Sequence, residues 1–214
     1  MATAGAPGFS LDSLLGAADN ALRALFAPAR SDRELSALPE EVPLNAADRR
    51  HVAGLMRVNH SGEISAQALY QGQALLARSA ATKDFLLRAA AEEGDHLAWC
   101  EQRLRELGAR PSLLNPFWYA GAFAIGTAAA AASDKLSLGF LRETERQVEG
   151  HLDSHLAQLP ARDERSRRIL ATMRDEEVRH ADAAAARGGP ELPPLIRGLM
   201  RASSRVMTTL AYWI

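Results

Sequence analysis

Cysteine is almost absent from this chain of 214 residues, and the lone Cys100 excludes an intrachain disulfide. The opening "MATAGAPGFS" lacks the basic and apolar regions of a secretory signal, so a reducing, intracellular setting is expected. Net charge is also missing: 25 Lys plus Arg stand against 26 Asp plus Glu, which gives no reason to expect a nucleic-acid partner. No run of alternating β-branched residues appears, which argues against strands. No apolar run reaches the roughly 20 residues that span a bilayer. The longest weakly polar stretch, "FWYAGAFAIGTAAAAA" from Phe117 to Ala132, is rich in Ala and Gly and reads as a buried helix.

What is present is helical periodicity broken at regular points. The length suits one domain with a substantial core. After an apolar segment around Leu11 to Phe26, "APARSDRELSALPEEVPLN" carries three prolines and scattered charge, a connector. A long helix is predicted from Asn45 or Ala46 to Arg78, and a second from a Thr82 cap to the stop at Gly108. "NPFW" opens a third segment, which Ser133 or Asp134 restarts and Pro160 ends. Asp163 caps a further helix that stops at Gly188-Gly189-Pro190, and Pro193 to Ile214 forms a terminal helix. The reading is all-α: a four-helix bundle over 45–190, an N-terminal helical segment and connector over 1–44, and an amphipathic helix over 191–214.

Glu-x-x-His occurs twice mid-helix, at Glu93 and His96 and at Glu177 and His180. Positions i and i+3 share a helix face, so each pair can aim a carboxylate and an imidazole at one point. Each preceding helix adds an interior Glu, Glu63 and Glu145. Glu63 to Glu93 is 30 residues and Glu145 to Glu177 is 32, while the lone Glu are 82 apart and the motifs 84. One helical hairpin is used twice. Four carboxylates with two neutral imidazoles carry a charge of about −4, which two divalent ions balance and a dry bundle interior does not tolerate unpaired. Oxygen-rich ligation with two imidazoles suits iron or manganese better than structural zinc. Carboxylate-bridged dimetal bundles are built from this same ligand set.

Alternatives stand beside several of these residues. One Glu-x-x-His alone is ordinary on a charged helix, and only the duplication with matched Glu argues for metal. Glu149, one turn beyond Glu145, and nearby Glu143 compete with it for the ligand role, and spacing does not choose among them. Glu92 and Glu176 point about 100° away from the motif faces, as solvated bystanders or outer neighbours of the site. His60, His151 and His155 stand where they could contact ligands, although an ordinary cap or solvent contact accounts equally well for His155 and His51. Cys100 and Tyr70 read as core residues beside the site.

"RVNHSGEISAQALYQGQ", "EEGDHLAWCEQRLRELG", "NPFWYAGAFAIG", "ETERQVEGHLDSHLAQLP" and "RDEEVRHADAA" together resemble the Coq7 family of ubiquinone biosynthesis, the demethoxyubiquinol hydroxylases, over about residues 45 to 214. The resemblance implies a ferritin-like antiparallel four-helix bundle holding two iron ions. Glu63, Glu93 and His96 would ligate one side and Glu145, Glu177 and His180 the other, with Glu93 and Glu177 bridging. It selects Glu145 over Glu149, because the family's ligand lies six residues before a histidine, here His151. It implies an O₂-dependent quinol hydroxylase acting on a polyprenylated methoxy-methyl-benzoquinol, with a methyltransferase consuming the product. One departure matters: other branches follow that histidine with tyrosine, and here Leu152 stands there, which leaves the electron donor, NADH or another reductant, open.

A prenylated substrate implies contact with a membrane surface, at the cytoplasmic face of a bacterial-type cell membrane, and with other ubiquinone biosynthesis proteins. The terminal helix spaces Arg197, Arg201 and Arg205 on one face, with Leu199, Val206, Leu210 and Trp213 available to an apolar side. Bundle packing or a homo-oligomer face explains that pattern as well. The "NPFWYAGAFAIG" stretch would form the mouth of a tail channel. Rival functions are a ferritin-type ferroxidase or peroxidase, and a non-enzymatic lipid-binding scaffold.

Overall fold

The computed structural model describes residues 11–31, 33, 35 and 38–214, and every regular element among them is an α-helix. Helix α1 spans Leu11–Phe26, α2 Ala46–Leu76, α3 Ala80–Glu106, α4 Asn115–Ala132, α5 Asp134–Gln158, α6 Glu164–Ala186 and α7 Pro194–Trp213. The segment "MATAGAPGFS" and four positions of the expected connector, 32, 34, 36 and 37, lie outside the described residues.

Helix ends follow capping chemistry. Asn45 accepts from the amides of Ala47 and Asp48, Ser133 from that of Leu136, and Asp163 from that of Ser166, satisfying donors that have no partner in a first turn. Gly108 and Gly188 end α3 and α6 with φ of 67° and 87°, the left-handed stop. The start of α3 differs from expectation. Thr82 sits inside the first turn, and the cap comes from another helix: Asp134 accepts from the amides of Arg78 and Ser79, at 2.9 Å each.

The short links between α2 and α3 and between α5 and α6 make two helical hairpins, which meet where α2 packs on α5 and α3 on α6. Their interior is layered. One apolar layer holds Val52, Met56, Leu104, Leu152, Leu170 and Met173; the other holds Tyr70, Leu86, Leu141 and Ala184. On every one of the four helices the motif carboxylate falls between these layers, so folding the apolar positions inward carries the charged ones into the middle.

The Ala-rich α4 is not the fully buried helix its composition suggests. Only Asn115, Tyr119, Gly126, Ala129 and Ala130 are buried, while Phe117 is 72% exposed. It lies along the outside of α2 at very close range. A Cβ at Gly126 would stand 2.1 Å from the Leu69 carbonyl oxygen, and one at Gly72 2.4 Å from that of Phe123. Helix α1 sets Ala21, Ala24 and Leu25 against Ile64, Leu97 and Tyr119, so this part of the N-terminal segment packs on the bundle. Helix α7 crosses α2 and α5 and anchors its end by Tyr212, whose ring covers Gly54 and whose hydroxyl lies 2.8 Å from His51 Nδ1.

Candidate metal centre

The five residues singled out by spacing, Glu63, Glu93, His96, Glu177 and His180, converge between the two apolar layers with Glu145, which the family resemblance selected, and all six are buried. They form two overlapping groups. Glu63, Glu93, His96 and Glu177 offer ligand atoms within 4.8 Å of one another, and Glu93, Glu145, Glu177 and His180 do the same. Glu93 and Glu177 belong to both groups. His96 Nδ1 lies 3.1 Å from Glu93 and from Glu177 and 3.7 Å from Glu63. His180 Nδ1 lies 3.3 Å from Glu93, 3.5 Å from Glu177 and 3.7 Å from Glu145. The third-helix carboxylate at the cluster is therefore Glu145; Glu149 is half-buried and in neither group.

Several inward atoms have no hydrogen-bond partner among the described residues: Glu93 Oε1, both Glu177 oxygens and His180 Nδ1. Unpaired buried lone pairs of this kind are costly unless a cation takes them, so the donor set fits a pair of divalent ions. The electrostatics say the same. Burial, with the neighbouring carboxylates, holds Glu63 and Glu145 well above the ordinary carboxylate range. Burial also works to raise Glu93, but the two imidazoles set against it, His180 and His96, overcome it and hold that carboxylate low. The imidazoles are the mirror case: burial opposes their protonation, and the surrounding carboxylates raise both His96 and His180 regardless. Metal binding there would displace protons from the cluster, since carboxylates and imidazoles ligate in their deprotonated forms.

Glu92 and Glu176 are more than bystanders. His96 Nε2 lies 2.9 Å from Glu176 Oε2, and His180 Nε2 lies 2.6 Å from Glu92 Oε2. Each motif's leading Glu thus reaches the histidine of the other hairpin. The repeated Glu-Glu-x-x-His was the available signal. Tyr70, read as core packing, also donates its hydroxyl to Glu145. Cys100 is buried with its thiol pushed up by that burial, and its sulfur faces Met173, as a core residue should.

A cavity of about 340 Å³ opens beside the cluster between α2, α4, α5 and α7, with Glu63 in its wall. Leu69, Phe117, Ile125, Phe140 and Met207 make much of the remainder apolar. Three lining residues, Asn59, Trp118 and His151, each carry a buried polar atom, Nδ2, Nε1 and Nε2, with no hydrogen-bond partner among the described residues. Trp118 belongs to the stretch expected at the mouth of a tail channel, whereas nothing in the sequence pointed to Asn59 or His151 as cavity groups. Burial lowers His151 to about 4, so it stands neutral near pH 7.

Residues 50–211 match the family described as ubiquinone biosynthesis protein COQ7. The chain is 58% identical over 207 residues to the 3-demethoxyubiquinol 3-hydroxylase of Cupriavidus taiwanensis, and 59% identical to that of Cupriavidus metallidurans. Each alignment covers 95% of this chain and 100% of the relative. The protein of the same name from Ralstonia pickettii is 57% identical over 216 residues, again with 95% and 100% covered.

Proposed function

The chain belongs to the family of the ubiquinone biosynthesis protein COQ7, and from that premise we propose that it hydroxylates a polyprenylated 3-demethoxyubiquinol, 2-polyprenyl-3-methyl-6-methoxy-1,4-benzoquinol, using O₂ and a reductant at a di-iron centre. The observation that carries this reading is the contact between a buried carboxylate–histidine cluster and an apolar cavity through the single wall residue Glu63. A ferroxidase of ferritin type needs the cluster and has no use for the cavity.

Glu63, Glu93 and His96 would hold one iron and Glu145, Glu177 and His180 the other, with Glu93 and Glu177 shared. Iron bound there supplies the redox chemistry that activates O₂ for insertion of one oxygen atom into an aromatic C–H bond. The chain's own residues do the rest. The apolar walls exclude water and seat the prenylated ring. Asn59 Nδ2 and Trp118 Nε1 donate to ring oxygens, and each lacks any other partner. His151, neutral, offers its Nε2 to a quinol hydroxyl as hydrogen-bond or proton acceptor. Leu152 is buried in the apolar layer, so an electron route through an aromatic side chain at that position is closed and the donor enters elsewhere.

The prenyl tail leaves toward α7, whose outer stripe of Leu195, Leu199, Val206, Leu210 and Trp213 is exposed, beside exposed Phe117 of α4. No helix among the described residues is long and apolar enough to cross a membrane. The reading is of a peripheral enzyme resting on the cytoplasmic face of the cell membrane, where other proteins of ubiquinone biosynthesis meet the same lipid.

The test is product and metal from one preparation. Iron-loaded protein with O₂, reductant and a demethoxyquinol should yield a product heavier by one oxygen atom, identified by mass spectrometry. Glu177→Ala should lose iron loading and at least about 100-fold of the hydroxylation rate. Iron mineralisation with no hydroxylated quinol would replace this reading with the ferroxidase, and iron-free active protein would remove the assigned ligands.

A further inference from the structure

The two histidines of the cluster are held alike on their inner side and differently on their outer side. His180 Nε2–H meets Glu92, a carboxylate 48% exposed that has no other hydrogen-bond or ion-pair partner among the described residues. His96 Nε2–H meets Glu176 Oε2, and Glu176 is itself only 7% exposed. The other Glu176 oxygen, Oε1, accepts from Arg33 Nη2 at 2.5 Å, and Arg179 Nη2 pairs with it by charge at 3.0 Å. Arg33 belongs to the connector, outside the residues 50–211 that match the family.

Arg33 is held in place independently of Glu176. Its guanidinium lies over the Trp99 indole, 5.3 Å from the ring centre, and the Trp99 indole N–H donates to its carbonyl at 3.2 Å. Ser31 donates to Asp95 at 2.6 Å, and Glu101 accepts from the Ala29 amide at 2.8 Å. Arg33 Nη1 also pairs with Asp95 at 3.6 Å, so contacts from Ala29, Ser31 and Arg33 fasten the connector along α3. Trp99 packs in turn on His96, ring centres 5.3 Å apart.

A histidine that ligates metal through Nδ1 must carry its proton on Nε2, and a fixed acceptor there sets both tautomer and ring orientation. Glu176 can be that fixed acceptor only if its own rotation is stopped. We infer that Arg33 is a positioning residue for the metal centre: it locks Glu176, which holds His96 with Nδ1 turned to the metal, so that the connector organises one of the two metal positions and leaves the other to the unbraced Glu92. The inference rests on reading the cluster as a metal centre.

Co(II), loaded in place of iron, tests it without turnover. Proton spectra of the Co(II) protein should show two exchangeable, strongly shifted ring N–H signals, one moved by Glu176→Gln and the other by Glu92→Gln. Arg33→Ala should speed solvent exchange of the Glu176-dependent signal and weaken Co(II) binding at that position by about tenfold, with the other signal and position unchanged. Arg33→Lys, which restores the charge without the planar fork, should recover part of both effects. Arg33→Ala spectra and affinities equal to those of the unmodified protein, or both positions loosened equally, would overturn the assignment of Arg33. Failure of the unmodified protein to take up Co(II) would instead overturn the metal centre itself.

Discussion

Histidine has two uses in this protein, and the neighbours of each ring decide which. His96 and His180 face carboxylates and are pulled up in basicity. His60 and His155 face amides. His155 Nδ1 lies 3.0 Å from Asn59 Oδ1, and Asn115 donates to His60 Nδ1 at 3.3 Å. Burial lowers His60 to about 4 and, aided by the nearby His151 and His51, His155 to about 3. Their ordinary value is about 6.5, so between there and pH 4 the unfolded chain binds protons that the folded protein refuses. The stability these two rings contribute is complete above pH 6.5 and is lost as pH falls. Chemical denaturation of the metal-free protein at pH 7 and pH 4 should show a drop in stability that is about 2–3 kcal/mol smaller in the His155→Gln variant than in the unmodified protein. An equal drop in the two would show that the ring does not titrate on unfolding.

At the scale of the helix, glycine decides how near two backbones come. Gly72 and Gly126 let α2 and α4 approach until carbonyl oxygens fill the space of the missing Cβ atoms. That approach sets Phe117 and Trp118 over the cavity mouth. Gly150, in α5, would place a Cβ in open space. Gly126→Ala should therefore destabilise by about 1–3 kcal/mol, as overpacking does. Gly150→Ala should stabilise by up to about 1 kcal/mol, as expected of an exposed helical site. Melting curves of the two variants check the contrast, and equal shifts would mean α4 is free to move outward. The composition of α4 did not reveal its half exposure, because small residues serve equally in a core and at a close crossing.

For the molecule as a whole, the question is how a prenylated ring reaches a cluster buried inside a helical bundle. The cavity opens between α4 and α7, and both present apolar side chains outward there, Leu199 at 62% and Val206 at 56% exposed. Neither Leu199 nor Val206 lines the cavity. Changing both to Glu should abolish sedimentation with anionic vesicles, at a cost of several kcal/mol of apolar transfer, while hydroxylation of a short-tailed quinol in solution persists. Vesicle binding that survives the double change would move the membrane face elsewhere.

By itself the sequence determined the helices, most of their caps, and five of the six residues that converge at the centre, with spacing leaving Glu143 and Glu149 open beside Glu145. These are short-range facts: a 3.6-residue period, an i, i+3 spacing, and a hairpin length repeated at 30 and 32 residues. Tertiary structure alone decided that Glu92 meets His180 and Glu176 meets His96, 88 and 80 residues apart. The same holds for the Asp134 cap of α3, the contact of Arg33 with Glu176, and the cavity edged by Asn59, Trp118 and His151. Each depends on which faces of two helices meet, and no spacing along a single helix records how it is rotated against another.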